Sequence, residues 1–165
     1  ISNDKLRIYL TDDLKGVGYG GILKNIYAIG AGLCDGLKLG DNAKSAYVTR
    51  ALNEMVSMGK SLGGRKETFY GLSGFGDFIA TSFGEWSRNR TFGESLGKGI
   101  PAEQILSGQK TVVEGFVAVD CLYQIARRDD LDTPILDELH AIIYDKKSPK
   151  LALSNLMVRH LKTEF

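Results

Sequence analysis

Between Ile22 and Leu33 the residues Ile22, Leu23, Ile26, Ile29, Ala31 and Leu33 spread apolar groups around most of a helical cylinder instead of along one stripe. Such a helix has no polar side to offer water, so it must be a central element with other helices packed around it. The segments that follow are helical as well. Asp41 to Leu62 opens on the cap candidates Asp41 and Asn42, repeats apolar groups at Tyr47, Ala51, Leu52 and Met55, and stops at Gly63-Gly64. Thr111 to Arg128 keeps Val113, Phe116, Val117, Cys121 and Ile125 at helical spacing. Three prolines, Pro101, Pro134 and Pro149, each announce a helix just inside its start, with Thr133 and Ser148 as caps for the last two.

One segment departs from this pattern. Leu6 to Thr11 (LRIYLT) reads as a short strand, because β-branched and apolar residues stand between polar flanks. Of the 20 glycines, many fall in Gly71 to Gly76 and Gly93 to Gly99, where they mark tight turns between short helices. The 165 residues, 43% hydrophobic and 25% charged, suffice for one compact domain with its own core. The expected architecture is therefore a single all-α domain over residues 1–165 with a short extended N-terminal lead-in.

A net charge of +1 gives no general attraction to nucleic acid or to an acidic membrane surface, so any anion site must be local. No apolar run approaches the roughly 20 residues of a membrane span. The cysteines Cys34 and Cys121, both in helical segments, are too few for a disulfide framework, and a reducing, cytoplasmic setting is expected. His140 and His160 stand alone in late helices, which leaves no metal-ligand spacing and no support for a histidine-based triad.

Gly16-Val17-Gly18-Tyr19-Gly20-Gly21 matches the G-x-G-x-x-G of dinucleotide-binding turns. Its context does not, since a second helix follows where a parallel strand with an acidic ribose ligand is required. The alternative is that these glycines let a helix start close against neighbouring backbone.

Lys24 lies between Leu23 and Ile26 in the most apolar helix, beside Asn25. Desolvation there would lower its pKa and make it a proton donor and acceptor near neutral pH; alternatively its stem lies on apolar surface with its head in water. Ser87-Arg88-Asn89-Arg90 opens a helix and offers hydroxyl, guanidinium and amide groups to an oxyanion such as phosphate, or is an ordinary solvated helix start. Asp77, in the glycine-bounded turn Gly74-Phe75-Gly76-Asp77, either caps the next helix or orients a lysine and a hydroxyl substrate. Glu114 is either a first-turn acid that suits the helix dipole or a ribose ligand.

Taken in order, five blocks closely resemble the C-terminal domain of bacterial-type NAD(P)-dependent glycerol-3-phosphate dehydrogenases. They are Gly16-Val17 through Gly20-Gly21 to Leu23-Lys24-Asn25, Asp35-Gly36-Leu37 to Lys44, Gly71-Leu72 to Gly76-Asp77, Ser87 to Arg90, and Thr111-Val112-Val113-Glu114-Gly115. The resemblance implies a multi-helix domain like those of 6-phosphogluconate dehydrogenase-like enzymes. It also implies interconversion of sn-glycerol 3-phosphate and dihydroxyacetone phosphate with NAD or NADP, for glycerophospholipid synthesis. By that resemblance Lys24 is the catalytic proton acceptor and Asp77 touches substrate. Ser87, Arg88 and Asn89 bind glycerol phosphate, and Arg88, Val112 and Glu114 meet the cofactor.

Gly18 departs from the family, which commonly has glutamate there. The family's N-terminal Rossmann domain is absent from these residues, so the domain alone is expected to be inactive. A homodimer is compatible with the sequence. Two other readings remain: the helical domain of a related two-domain hydroxy acid dehydrogenase, whose motif around the lysine would differ, and a non-catalytic helical dimerisation module in which Lys24 and Arg88 serve structure alone.

Overall fold

In the computed structural model, residues 2–108 and 111–158 are described, and His160 lies outside them. Helix α1 spans Leu14–Gly36, α2 Asp41–Ser61, α3 Lys66–Tyr70, α4 Asp77–Phe83 and α5 Arg88–Gly97. After these come α6 Ala102–Ser107, α7 Glu114–Arg128, α8 Pro134–Tyr144 and α9 Pro149–Met157, and a π-helical turn at Leu72–Gly76 joins α3 to α4. The all-α expectation holds. So does the central helix: Leu23, Ile26, Tyr27 and Ile29 of α1 are fully buried, and α1 packs on α2, α4, α5 and α7.

The strand expected at Leu6 to Thr11 does not form among the described residues. Asn3 and Leu6 make one isolated antiparallel bridge, and the rest of the segment has no strand to pair with. Leu10 stays 95% exposed and Tyr9 62%, so the apolar pattern that suggests a strand finds nothing here to bury it.

The glycine run at Gly16 to Gly21 lies inside the first turns of α1, and not on a strand-to-helix turn. The chain enters the helix at Asp13, whose carboxylate accepts from the backbone N–H of Gly16 at 2.9 Å and of Arg65 at 2.9 Å and from the Thr68 hydroxyl at 2.6 Å. These three donors hold the Asp13 carboxyl down at about 2. Close approach is required at Gly20, where an added Cβ would stand 2.6 Å from the Ser73 carbonyl oxygen of the π-helical turn. Gly18 and Gly21 face open space. Alanine at either therefore meets no obstacle and removes backbone entropy from the unfolded chain. Gly18→Ala and Gly21→Ala are each expected to raise the unfolding free energy by about 0.5–1 kcal/mol, measured by urea denaturation.

The glycines of Gly93 to Gly99 correct another expectation, for Gly93 and Gly97 sit within α5 and only Gly99, at φ +86°, is a turn residue. They let α5 lie directly on α1. A Cβ at Gly93 would be driven into the Ile29 carbonyl and one at Gly32 into the Arg90 carbonyl, while one at Gly97 would stand 2.8 Å from the Leu33 carbonyl oxygen. Because Ile29 meets Gly93 and Leu33 meets Gly97, the two helices run in the same direction. The start of α5 is thereby set beside the Lys24–Asn25 turn of α1.

Several helix starts are capped differently from the local expectation. Gly40, not Asp41 or Asn42, is the N-cap of α2, and Pro101 is the N-cap of α6 instead of its first residue. Thr133 and Ser148 occupy the N-cap positions of α8 and α9 without making a side-chain cap bond. The first N–H groups of α8 are taken by Glu54 of α2, whose buried carboxylate accepts from Ile135 at 2.8 Å, from Leu136 at 2.9 Å and from the Tyr27 hydroxyl at 3.1 Å.

Burial pushes the Glu54 carboxyl up to about 7, against the pull of those donors. A carboxyl raised in the folded chain contributes stability that is fully present below its ordinary value of 4.5 and declines as the pH rises through 7. The unfolding free energy is expected to fall by on the order of 3 kcal/mol between pH 4.5 and about 7. In Glu54→Gln this part of the slope disappears, as denaturation at a series of pH values would record.

Candidate active site

Lys24 and Asn25 are consecutive on α1 and reach different neighbours. With Leu23 and Ile26 in the core beside it, the Lys24 side chain remains 20% exposed and its Nζ meets Asp77 Oδ2 at 2.6 Å. Asp77 is the first residue of α4 and makes no cap bond there, so of its two expected roles the one realised is that of lysine partner. Its position follows from the π-helical turn, which rests on Gly20 one helical turn before Lys24.

Asn25, 8% exposed, turns the other way. Its Nδ2 donates to Glu114 Oε2 at 2.9 Å and to the Gly21 carbonyl at 3.2 Å. The second oxygen of Glu114 takes Arg88 Nη2 at 3.3 Å, and Arg88 Nη1 donates to the Val112 carbonyl at 3.0 Å. The bridge Asn25–Glu114–Arg88 thus runs between the two cations Lys24 and Arg88. At the start of α5, Ser87 Oγ accepts from the Arg90 backbone N–H at 3.2 Å, and the buried Asn89 accepts through Oδ1 from the Gly115 N–H at 2.9 Å.

The sequence-selected residues therefore fall into two adjoining groups. Lys24 joins Asp77; Arg88 joins Val112 and Glu114; Ser87 and Asn89 shape the helix start between α4 and α7. Arg90, the last member of the run that sequence offers to an oxyanion, does not serve there, because its guanidinium points inward to Asp35. Asn25 carried no assigned role in the sequence, although a second polar residue beside Lys24 in so apolar a helix was a usable signal.

The site is open. Asp77, Arg88 and Glu114 have side chains 42%, 50% and 60% exposed, and Val112 is 68% exposed. A partly exposed ammonium–carboxylate pair and, reached from the next residue of α1, an exposed guanidinium–carboxylate pair are groups that can hold an anionic, hydroxylated small molecule and move a proton at one of its oxygens. Among the described residues no group of three or more metal-ligating side chains gathers, and no helix is long and apolar enough to cross a membrane.

Comparison with known proteins gives a consistent answer. Residues 13–154 match the model of the family described as NAD-dependent glycerol-3-phosphate dehydrogenase C-terminus. A curated relative from Syntrophotalea carbinolica, named glycerol-3-phosphate dehydrogenase (NAD(P)+), is 44% identical over 99% of this chain and 49% of its own length. One of the same name from Thermus thermophilus is 42% identical over 99% and 50%. The crystal structure of glycerol-3-phosphate dehydrogenase from Coxiella burnetii superposes with a TM-score of 0.90 at 36% identity, covering 96% of this chain and 49% of that one. The chain spans about half the length of the curated relatives it matches.

Proposed function

Because the chain belongs to the family of NAD-dependent glycerol-3-phosphate dehydrogenase C-terminal domains, we propose that it is the substrate-binding and proton-transfer half of an enzyme that interconverts sn-glycerol 3-phosphate and dihydroxyacetone phosphate. The observation that carries this reading is the Lys24–Asp77 pair at 2.6 Å, set one residue from the network that holds Arg88. Its setting is the cytoplasm, its metabolic role is supply of the glycerol phosphate backbone of phospholipids, and its partner is an upstream nucleotide-binding domain.

Arg88, Val112 and Glu114 suit the rim of a dinucleotide site. They present an exposed guanidinium, an apolar side chain and a carboxylate that can accept from a ribose hydroxyl, but no phosphate-cradling turn of their own. When bound, NAD or NADP supplies or takes the hydride at carbon 2. Lys24 does the complementary work at the carbon 2 oxygen. In reduction its ammonium turns from Asp77 and gives that oxygen a proton, and in oxidation the amine takes the proton back.

Asp77 holds Lys24 in place and can accept from a substrate hydroxyl. For the substrate's phosphate, Arg88 leaves the Val112 carbonyl, and its two-pronged guanidinium meets the dianion beside the Ser87 hydroxyl and the Asn89 amide.

Joining this chain to the upstream half of the Syntrophotalea relative and following NADH or NADPH oxidation tests the proposal. Turnover with dihydroxyacetone phosphate is expected from the joined protein and none from residues 1–165 alone. A preference for an unphosphorylated hydroxy acid would replace the substrate assignment with that of a related dehydrogenase.

A further inference from the structure

Next to the candidate site an ion cluster ties three helices to one short segment. Asp35 of α1 accepts from Lys44 Nζ of α2 with both oxygens, at 2.9 and 2.8 Å, and from Arg90 Nη1 of α5 at 2.5 Å. The Arg90 guanidinium also donates through Nε to the Gly84 carbonyl at 3.2 Å. That carbonyl accepts the Ser87 N–H at 3.3 Å, and the Ser87 hydroxyl in turn accepts the Arg90 N–H. Lys44 lies over the Phe83 ring, 4.5 Å from its centroid.

These bonds converge on residues 83–87, which lead from α4 into the Ser87, Arg88 and Asn89 turn. Phe83 is 47% exposed and Trp86 94%, so packing contributes little to fixing the segment. The Arg90 side chain is only 17% exposed and Lys44 only 8%, so the cluster is shielded from the solvent screening that weakens surface pairs.

We propose that Arg90 is a positioning residue: anchored on Asp35, it holds the 83–87 segment so that Ser87, Arg88 and Asn89 meet the phosphate of the three-carbon substrate. This rests on the function proposed above. The planar guanidinium reaches Asp35 and the Gly84 carbonyl at once, which a lysine ammonium on a flexible stem cannot do with the same geometry. Lys24 and Asp77 are held by α1 and by the start of α4, away from Arg90. Loss of the Arg90 fork therefore weakens phosphate recognition and spares the chemistry at carbon 2.

The test compares dihydroxyacetone phosphate with dihydroxyacetone, the same ketone without the phosphate, in the joined protein and its Arg90→Lys and Asp35→Asn variants. In Arg90→Lys the ratio of kcat/KM values for the two ketones is expected to fall about tenfold to hundredfold, while kcat/KM for dihydroxyacetone, measured at saturating nucleotide, stays within about twofold. Asp35→Asn, which keeps the shape and removes the charge, shifts the ratio in the same direction and decides the matter if Arg90→Lys does not fold. An unchanged ratio, or a parallel loss with both ketones, overturns the positioning role alone. Failure of the unsubstituted joined protein to reduce either ketone overturns the function itself and this role with it.

Discussion

Lys24→Ala in the joined protein is expected to lower kcat for dihydroxyacetone phosphate reduction by about 10²–10⁴-fold, the range lost when a positioned acid–base group is removed. No other residue of the site can replace it. Arg88 is engaged by the Val112 carbonyl and Glu114, Asp77 is the partner of Lys24 itself, and the Ser87 hydroxyl is placed at the start of α5. The nucleotide KM should change little, because the residues assigned to the cofactor rim lie on α5, on α7 and just before α7. Stability should change little too. The ammonium is partly solvated and its partner Asp77 is 42% exposed, so the lost ion pair is worth at most about 1 kcal/mol. Unchanged kcat in this variant would remove Lys24 from the chemistry.

The second large effect is structural. Gly93→Ala is expected to destabilise the domain by about 3 kcal/mol or more, since the new methyl group meets the Ile29 carbonyl and no side-chain rotation relieves a backbone contact. The same change at Gly18, in the open part of α1, is expected to stabilise. Separation of α1 from α5 also moves Arg88 away from Glu114 and Asn89 away from Gly115, so the KM for the phosphorylated substrate should rise in any Gly93→Ala protein that folds. Thermal unfolding and steady-state kinetics on the same preparation measure both. A Gly93→Ala domain as stable as the parent would mean that α5 does not rest on α1 in this way.

Much of the helical plan was legible because it depends on local pattern. The apolar wrap around Ile22 to Leu33 predicted a buried helix, and α1 is one. Proline and glycine marked the ends of α2, α8 and α9 to within a residue or two. What local pattern could not supply were partners distant in sequence. Thr133 looks like the cap of α8, yet the cap bonds come from Glu54, 81 residues before Ile135. Gly93 and Gly97 look like turn residues because glycine usually breaks helices. Their reason is the backbone of α1, which only the fold brings near. LRIYLT has the pattern of a strand, but a strand needs a neighbour and none stands among the described residues.

The site divides along the same line. That Lys24, Asp77, Ser87, Arg88, Asn89, Val112 and Glu114 deserve interest could be argued from residue type and from family resemblance. That Lys24 faces Asp77, while its neighbour Asn25 reaches Glu114 across 89 positions, required the packing of α1 against α4 and α7. Arg90 illustrates the opposite case, since its place in a polar run suggested a ligand contact and its side chain instead turns inward to Asp35.

The central claim, that these two groups form one site for a glycerol phosphate, is tested most directly by a crystal structure of the joined protein with sn-glycerol 3-phosphate and a nicotinamide dinucleotide. The expected structure has the carbon 2 oxygen within about 3 Å of Lys24 Nζ, in hydrogen-bond reach, and the phosphate on Arg88 and Asn89. A substrate bound with its carbon 2 oxygen away from Lys24, or with its phosphate on other residues, would contradict it.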